Sequence, residues 1–592
     1  MGNLLLLTVL LPLAGAALLG GSRESVRRLA LLSTLLVLGL AAVLIGSYSG
    51  DADASGRGEF AAKELSWFGS TAAPTDSAAD ASGHEVLARR GGIRLSIALD
   101  GLSLWLFGLT ALLMVVGVLV SWEAIREQAT MYYRLLLLLE TGMLGVFAAR
   151  DIILFYVFFE FTLIPLFFLI GVWGSEERRY AANKFFLFTL AGSVLTFLGL
   201  LAIVLWDYYH PIGSSEAWGM TFSIPALTDA LALRPMDATM QKWLFLALFA
   251  GFAIKVPLFP LHTWLPLAHV EAPTAGSVIL AGVLLKIGTY GFVRLSLPML
   301  PQATAAFMPW LLWLSLAGIV YGALVALAQS DIKRLIAYSS VSHLGFCMLG
   351  IFAVNRLGLQ GGVLQMVNHG LSTGGLFAVV GMLYERYHTR QIADLGGLAR
   401  QTPWLAFFML VLTLSSIGLP GLNGFAGELL ILVGMFQRGW AAAPAEWSVH
   451  YRIIAVAALA GVVLGAWYML YLVQRVFFGP LRQPQPKTHE PPAGDLCFRE
   501  IAALAPLTVL IVWIGIQPQF FLDRMNPTLD HLTARAMQAA EDGSGFRVQG
   551  SGCNRTTAVG LSNSTASTVG QAARLSSRKS NSGSQWYSEV RR

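Results

Sequence analysis

Apolar runs long enough to cross a bilayer recur along this chain, each bounded by a short polar segment. At about 17–25 residues per helical span, the pattern predicts about fourteen helices. They begin with Leu4–Leu19, Leu29–Tyr48, Gly101–Ser121, Tyr132–Ala149, Ile152–Trp173 and Lys184–Trp206. After a loop come Trp243–Pro266, Ala275–Leu297, Met308–Ala328, Leu335–Val354, Leu359–Tyr384, Trp404–Met435, Ile453–Val476 and Ile501–Phe521. The expected fold is an all-α polytopic membrane domain over residues 1–522. Two spans carry breakers: Pro257, Pro260 and Pro266 in one, and Gly418, Pro420 and Gly421 in the other. A proline removes a backbone donor, which membranes tolerate where the freed groups line a cavity or meet protein. Both spans are therefore expected to be discontinuous. The run Ile254-Lys255-Val256-Pro257-Leu258 also echoes Ile417-Gly418-Leu419-Pro420-Gly421, as paired interrupted helices do in transporters built from repeats.

Composition narrows the class. Of 592 residues, 55% are hydrophobic and 12% charged, about half the charged share of soluble domains. Cys347, Cys497 and Cys553 have no metal-ligand spacing. The net charge of +6 is mostly that of the segment beyond Arg535, which holds seven basic and three acidic residues, so nucleic-acid binding is a poor reading of it. Basic residues otherwise concentrate in alternate loops (Arg23, Arg27 and Arg28; Arg178, Arg179 and Lys184; Lys333 and Arg334; Arg386 and Arg390). The positive-inside rule places those loops in the cytoplasm and both termini on the opposite face, the periplasm in a bacterium. The first apolar run lacks a basic leader and reads as a retained helix. Loop Gly50–Arg94 and a tail over 523–592 are rich in small polar residues and are expected to have little order.

Against this apolar background a few titratable residues stand out. Lys255 and Lys286 each lie mid-span, where a charge costs roughly 2.5–3.5 kcal/mol on the lenient scales and usually serves function. Glu160, flanked by phenylalanines, is the expected partner of Lys255, either as a working pair or as a static one that fixes packing. Glu140 is a second carboxylate. His343 and His369 sit among small polar residues and titrate near neutrality, as relays do, although a lone histidine also serves as a structural hydrogen-bonder. His262 and His269, near the first break, suit either a proton path or helix-end capping. Glu428 follows the second break and suits the end of a relay or the interrupted helix end itself. No Gly-rich phosphate loop, dinucleotide fingerprint, iron–sulfur cysteine set or haem motif is present, so the chain is expected to move protons without redox chemistry of its own.

The segments FYVFFEFTLIPLFFLIGVWG, KVPLFPLHTWLPLAHVEAPTAGSVILAGVLLKIGTYG, DIKRLIAYSSVSHLGF, NHGLSTGGLF and GLPGLNGFAGELLIL resemble the antiporter-like membrane subunits of proton-pumping NADH–quinone oxidoreductase, respiratory complex I, and most of all the M type. The resemblance covers most of Leu4–Phe521. It implies two inverted five-helix repeats, each with one broken helix, with Pro257 and Pro420 marking the breaks. It implies that Glu160 modulates Lys255, that Lys286, His343 and His369 link the halves, and that Glu428 carries protons on the exit side. It places NADH, FMN, iron–sulfur clusters and quinone in partner subunits, with L-type and N-type chains as membrane neighbours and no cofactor here. The alternative is a subunit of a multi-subunit cation/proton antiporter, which shares the fold. Leu267 departs from the family's usual acidic residue at that position.

Overall fold

The computed structural model describes residues 1–49, 58–68, 93–212, 219–440, 446–484 and 494–541. Two helices open the chain, α1 (Gly2–Leu18) and α2 (Arg23–Gly46). A two-stranded antiparallel sheet follows, β1 (Phe60–Phe68) with β2 (Ile93–Leu99). Then come α3 (Ser103–Val120), α4 (Ala129–Ala148), α5 (Ile152–Phe161), α6 (Leu163–Trp173), α7 (Arg178–Tyr209) and the short α8 (Ile224–Leu233). The first break separates α9 (Ala238–Lys255) from α10 (Trp264–Glu271). The next span is α11 (Thr274–Ile279), α12 (Leu285–Gly291) and α13 (Leu297–Met299), joined by π-helical turns at Leu280–Leu284 and Phe292–Ser296. Helices α14 (Pro301–Leu327), α15 (Ile332–Phe352) and α16 (Arg356–Tyr387) precede the second break, between α17 (Pro403–Ser416) and α18 (Asn423–Trp440). The chain continues through α19 (Ser448–Phe477), α20 (Phe498–Ile516) and α21 (Pro518–Glu541).

Helix starts follow local chemistry. The side chains of Asp151, Asp237, Asp331 and Asn355 each accept a backbone N–H of the first turn of the helix they precede. Helices α3, α15 and α16 are buried nearly all round, as uniformly apolar helices at the centre of a bundle must be. Helices α2, α7, α19 and α20 instead turn large apolar side chains outward, among them Leu32, Leu187, Val463 and Val509. This is a multi-pass membrane protein: eleven helices among the described residues are long and apolar enough to cross a bilayer.

The structure adds detail to three expectations. Each of the fourteen expected spans overlaps helix, but only eleven helices meet the length and hydropathy of a full span. The interrupted segments fall into shorter pieces, and α1 has 17 residues. The fold is helical as expected, with one addition: parts of the 50–94 segment form β1 and the start of β2, where Phe60 to Leu65 pair with Leu95 to Leu99. The boundary at 522 also moves. Helix α21 runs through it to Glu541, because Phe521, Leu522, Met525, Leu529, Leu532 and Ala536 form one buried stripe at helical spacing. Residues 542–592 lie outside the described set.

One polar clasp fixes the bundle beside the sheet. The Arg294 Nη1 lies 2.6 Å from Asp100 Oδ2, and its Nη2 donates to Oδ1 at 2.7 Å. Asp100 Oδ1 also accepts the Leu102 and Ser103 N–H groups at the start of α3. Burial pushes the Asp100 carboxyl up, but Arg294 and Ser103 outweigh it and hold it below the usual carboxylate range. Asp100→Ala is expected to cost about 3–5 kcal/mol, since it leaves Arg294 buried without its partner. Thermal unfolding in detergent measures this. A depressed carboxyl stabilises above its unfolded-state value and ceases to do so as pH falls through the folded one, so the Asp100→Ala deficit shrinks in strong acid.

Candidate functional site

Both breaks form where the breaker residues sit, and they share one backbone hydrogen-bond pattern. Val256 N–H donates to Phe252 O at 2.9 Å, Leu258 to Ala253 O at 2.9 Å and Leu261 to Leu258 O at 2.6 Å. At the second break Ile417 donates to Thr413 O at 3.0 Å, Leu419 to Leu414 O at 3.0 Å and Leu422 to Leu419 O at 3.1 Å. Pro257 and Gly418 occupy equivalent positions, both with positive φ. The structural correspondence thus stands two residues out of register with the sequence echo: Pro257 matches Gly418, not Pro420. Identical residues in the echo align I-x-x-P with I-x-x-P, whereas the backbone aligns the points at which each helix gives way.

At the first break Lys255 ends α9 and is 4% exposed. Its Nζ lies over the Phe159 ring at 4.5 Å and makes no hydrogen bond. Glu160 lies close enough for its charge to act on Lys255, with the Ser193 hydroxyl beside its carboxylate and Oε1 unpartnered. The expected direct ion pair is not formed, since no Lys255 nitrogen approaches a carboxylate within 4.0 Å. The reason is local: Phe159, one residue before Glu160, turns its ring to the ammonium, and Glu160 occupies the next, less buried face. Helix α5 stops at Phe161 because Pro165 has no N–H for the Phe161 carbonyl, while Thr162 Oγ1 donates to Phe159 O at 2.8 Å.

Lys286 begins a line of buried polar residues. It is fully buried just after the π-helical turn, and its Nζ donates back to the Ala281 carbonyl inside that turn. The same Nζ lies 2.6 Å from His369 Nδ1. The His369 and His343 rings stand tilted to each other with their centroids 5.8 Å apart. His343 Nδ1 is 3.6 Å from Glu428 Oε1, and its Nε2 faces Ser416 Oγ at 3.1 Å and the Tyr468 hydroxyl at 3.4 Å. Gln365 Nε2 donates to Glu428 Oε1 at 3.4 Å. Lys286, His369, His343 and Glu428 come from four different helices, and every one is at least nine-tenths buried. Which of Lys286 and His369 donates across their contact depends on the imidazole tautomer.

The other candidates stand apart. Glu140 is fully buried on α4 with neither carboxylate oxygen partnered. His269 stacks on Phe377 at 4.5 Å between centroids, and both its ring nitrogens are unpartnered, so its ring caps no helix end. His262 packs among Phe259, Tyr321 and Tyr338. Leu267 is half-buried and packs on the core, so an apolar contact occupies the place of an acidic one. No group of three His, Cys, Asp or Glu residues suited to a metal occurs among the described residues.

Sequence reasoning missed Phe159, Gln365, Ser416 and Tyr468. Gln365 had a signal: it precedes His369 by four residues and so shares its helix face. Ser416 and Tyr468 had none, since only tertiary packing brings them to His343. Gly418 proves more than a breaker. Its φ is +72°, and an added Cβ would stand 2.7 Å from Glu428 Oε2. Gly418→Ala is expected to cost about 1–2 kcal/mol in backbone conformation and to displace the Glu428 carboxylate. Thermal unfolding together with proton-pumping assays should show loss of both.

Residues 149–450 match the family described as NADH:quinone oxidoreductase/Mrp antiporter, transmembrane. NADH-quinone oxidoreductase subunit M of Rhodobacter capsulatus is 43% identical over 443 residues, covering 74% of this chain and 82% of that one. The chain belongs to this family, on its M-type branch. Glu160, Lys255 and the four residues from Lys286 to Glu428 all fall inside the matched family segment, whereas Glu140 precedes it. Among solved structures, respiratory complex I from Thermus thermophilus with bound NADH contains a chain with TM-score 0.73 and 33% identity, covering 90% of this chain and 99% of that one. A chain of the Mrp complex from Dietzia sp. DQ12-45-1b has TM-score 0.70 at 20% identity, covering 91% and 99%, and shares the fold.

Proposed function

We propose that the chain is the proton-translocating membrane subunit of an NADH–quinone oxidoreductase. The observation that carries this reading is the contact series Lys286–His369–His343–Glu428, buried between two equivalent helix breaks. In the mechanism, the charge of Glu160 sets whether Lys255 holds its proton. A proton released at Lys255 reaches Lys286, which exchanges it with His369. It passes to His343 and then to Glu428, the exit group, whose carboxylate Gln365 orients. Lys255 and Lys286 make no direct contact, so water completes that step.

Under this proposal the redox chemistry belongs to other subunits, which bind NADH, FMN, iron–sulfur clusters and quinone, and L-type and N-type chains flank this one in the membrane. The two matching breaks support an architecture of inverted five-helix repeats within a membrane domain that ends with α21. The protein sits in a bacterial inner membrane with both termini in the periplasm. In support, basic residues cluster at one end of the bundle: Arg23 and Arg27 donate to the carbonyls of Glu123 and Trp122, and Arg499 pairs with Glu123 at 3.1 Å.

Affinity purification from native membranes tests the proposal. Co-purification of NADH-oxidising, iron–sulfur-containing partners supports it. Sodium-dependent proton exchange in a preparation without them assigns the chain to a cation/proton antiporter instead.

A further inference from the structure

The bundle contains an apolar groove that the proton line does not use. It lies between α2, α3, α16, α20 and α21 and encloses about 380 Å³. Leu38, Leu109, Leu112, Leu371 and Ile514 line its depth. Small residues are part of its lining, Ala41, Ala42 and Gly46 on α2 and Gly108 on α3, the last standing against Ile45. From Gly46 to Leu38 the wall descends about 12 Å along α2, at 1.5 Å per residue.

Three side chains with polar groups border this slot, Trp105, Trp513 and Arg524, and all three are donors. The Trp105 indole N–H is buried with no acceptor, in a residue only 8% exposed. Arg524 holds its guanidinium over the Phe520 ring at 3.9 Å and spends one N–H on the Phe520 carbonyl at 3.1 Å. Its Nε is buried and unpartnered, and no carboxylate among the described residues pairs with it. The nearby acids are engaged elsewhere: Asp523 accepts from Gln519, and Asp530 pairs with Arg356 at 3.1 Å. Trp105 lies at the start of α3 and Trp513 near the end of α20, the level at which tryptophan and arginine anchor a chain in the headgroup region.

We propose that this groove binds one glycerophospholipid, with its phosphate diester on Arg524, an ester carbonyl accepting from Trp105 and an acyl chain lying along α2 toward Leu38. A cation beside an unsatisfied N–H, followed by a purely apolar slot, reproduces the order of groups along such a lipid. A neighbouring transmembrane helix fits less well. Its backbone carbonyls are already bonded within the helix and offer two donors only their second lone pairs, whereas a phosphate diester presents free anionic oxygens. The inference rests on the membrane character of the chain and is independent of the proton-transfer reading.

Cryo-electron microscopy of the protein with its native partners, in nanodiscs of phosphatidylglycerol and phosphatidylethanolamine, tests the proposal. The expected density is forked, with its head within hydrogen-bonding reach of Arg524 and one tail descending past Trp105. Ala42→Phe, which fills the slot from an exposed position on α2, should remove that tail. Arg524→Gln should reduce head density several-fold, with the surrounding helices unchanged. Density of a polypeptide helix, a detergent molecule only, an empty groove in the unsubstituted protein, or the same density in all three forms would overturn the proposal.

Discussion

Lys286→Arg is expected to lower NADH-driven proton pumping about 10²-fold or more, the scale on which a positioned acid–base group contributes. Arginine keeps the positive charge but does not give up its proton in a protein, so it separates a carrier from a fixed charge. At Lys286 the distinction is sharp, because Nζ sits 2.6 Å from His369 Nδ1 and its other protein acceptor is the Ala281 carbonyl. A guanidinium is also larger than the fully buried site allows. Lys286→Met therefore serves as the partner variant: it keeps roughly the volume, drops the charge and should fail equally. The measurement is NADH-dependent acidification of inside-out vesicles, normalised to assembled complex. Pumping by Lys286→Arg at the unsubstituted rate would show that Lys286 supplies charge alone.

Lys255→Met should have an effect of the same order on pumping, with little or no loss of fold stability. The stability part follows from the geometry. Lys255 makes no hydrogen bond and no ion pair, only the cation–π contact with Phe159, so its removal orphans no partner. A cation–π contact contributes about 0.5–2 kcal/mol depending on its exposure, so Phe159→Leu should weaken pumping far less than loss of the lysine. Paired measurements of unfolding temperature and of pumping in Lys255→Met decide this. If unfolding temperature and pumping fall together, Lys255 is part of the packing. If pumping alone falls, Lys255 belongs to the path.

The sequence made much of this site legible because a bilayer penalises polar residues so heavily. Lys255, Lys286, His343, His369 and Glu428 stand out against apolar neighbours, and their chain positions already place them in different spans. Proline and glycine marked both breaks for the same reason, each being costly in a helix interior. What stayed hidden depended on orientation. A one-residue difference in direction decides whether Lys255 meets Phe159 or Glu160, and span counting does not resolve it. The true register of the two breaks follows backbone hydrogen bonds at Val256 and Ile417, not the repeated isoleucine and proline. Ser416 and Tyr468 reach His343 only through packing of α17 and α19 against α15. Outside the bilayer the hydropathy signal weakens, and there the β1–β2 pair and the amphipathic α21 went unread.

Under the proposed function, protons leave the buried line through Glu428. Glu428→Gln is its most direct test, since the amide keeps the size of the side chain and its place against Gly418 but holds no transferable acid. The quantity to measure is NADH-driven proton uptake into inside-out vesicles per assembled complex, beside Glu428→Asp as the conservative control. Uptake is expected to fall below about a tenth of normal in Glu428→Gln, a loss on the scale of a missing acid–base group, with substantial recovery in Glu428→Asp. Normal uptake in Glu428→Gln would contradict it.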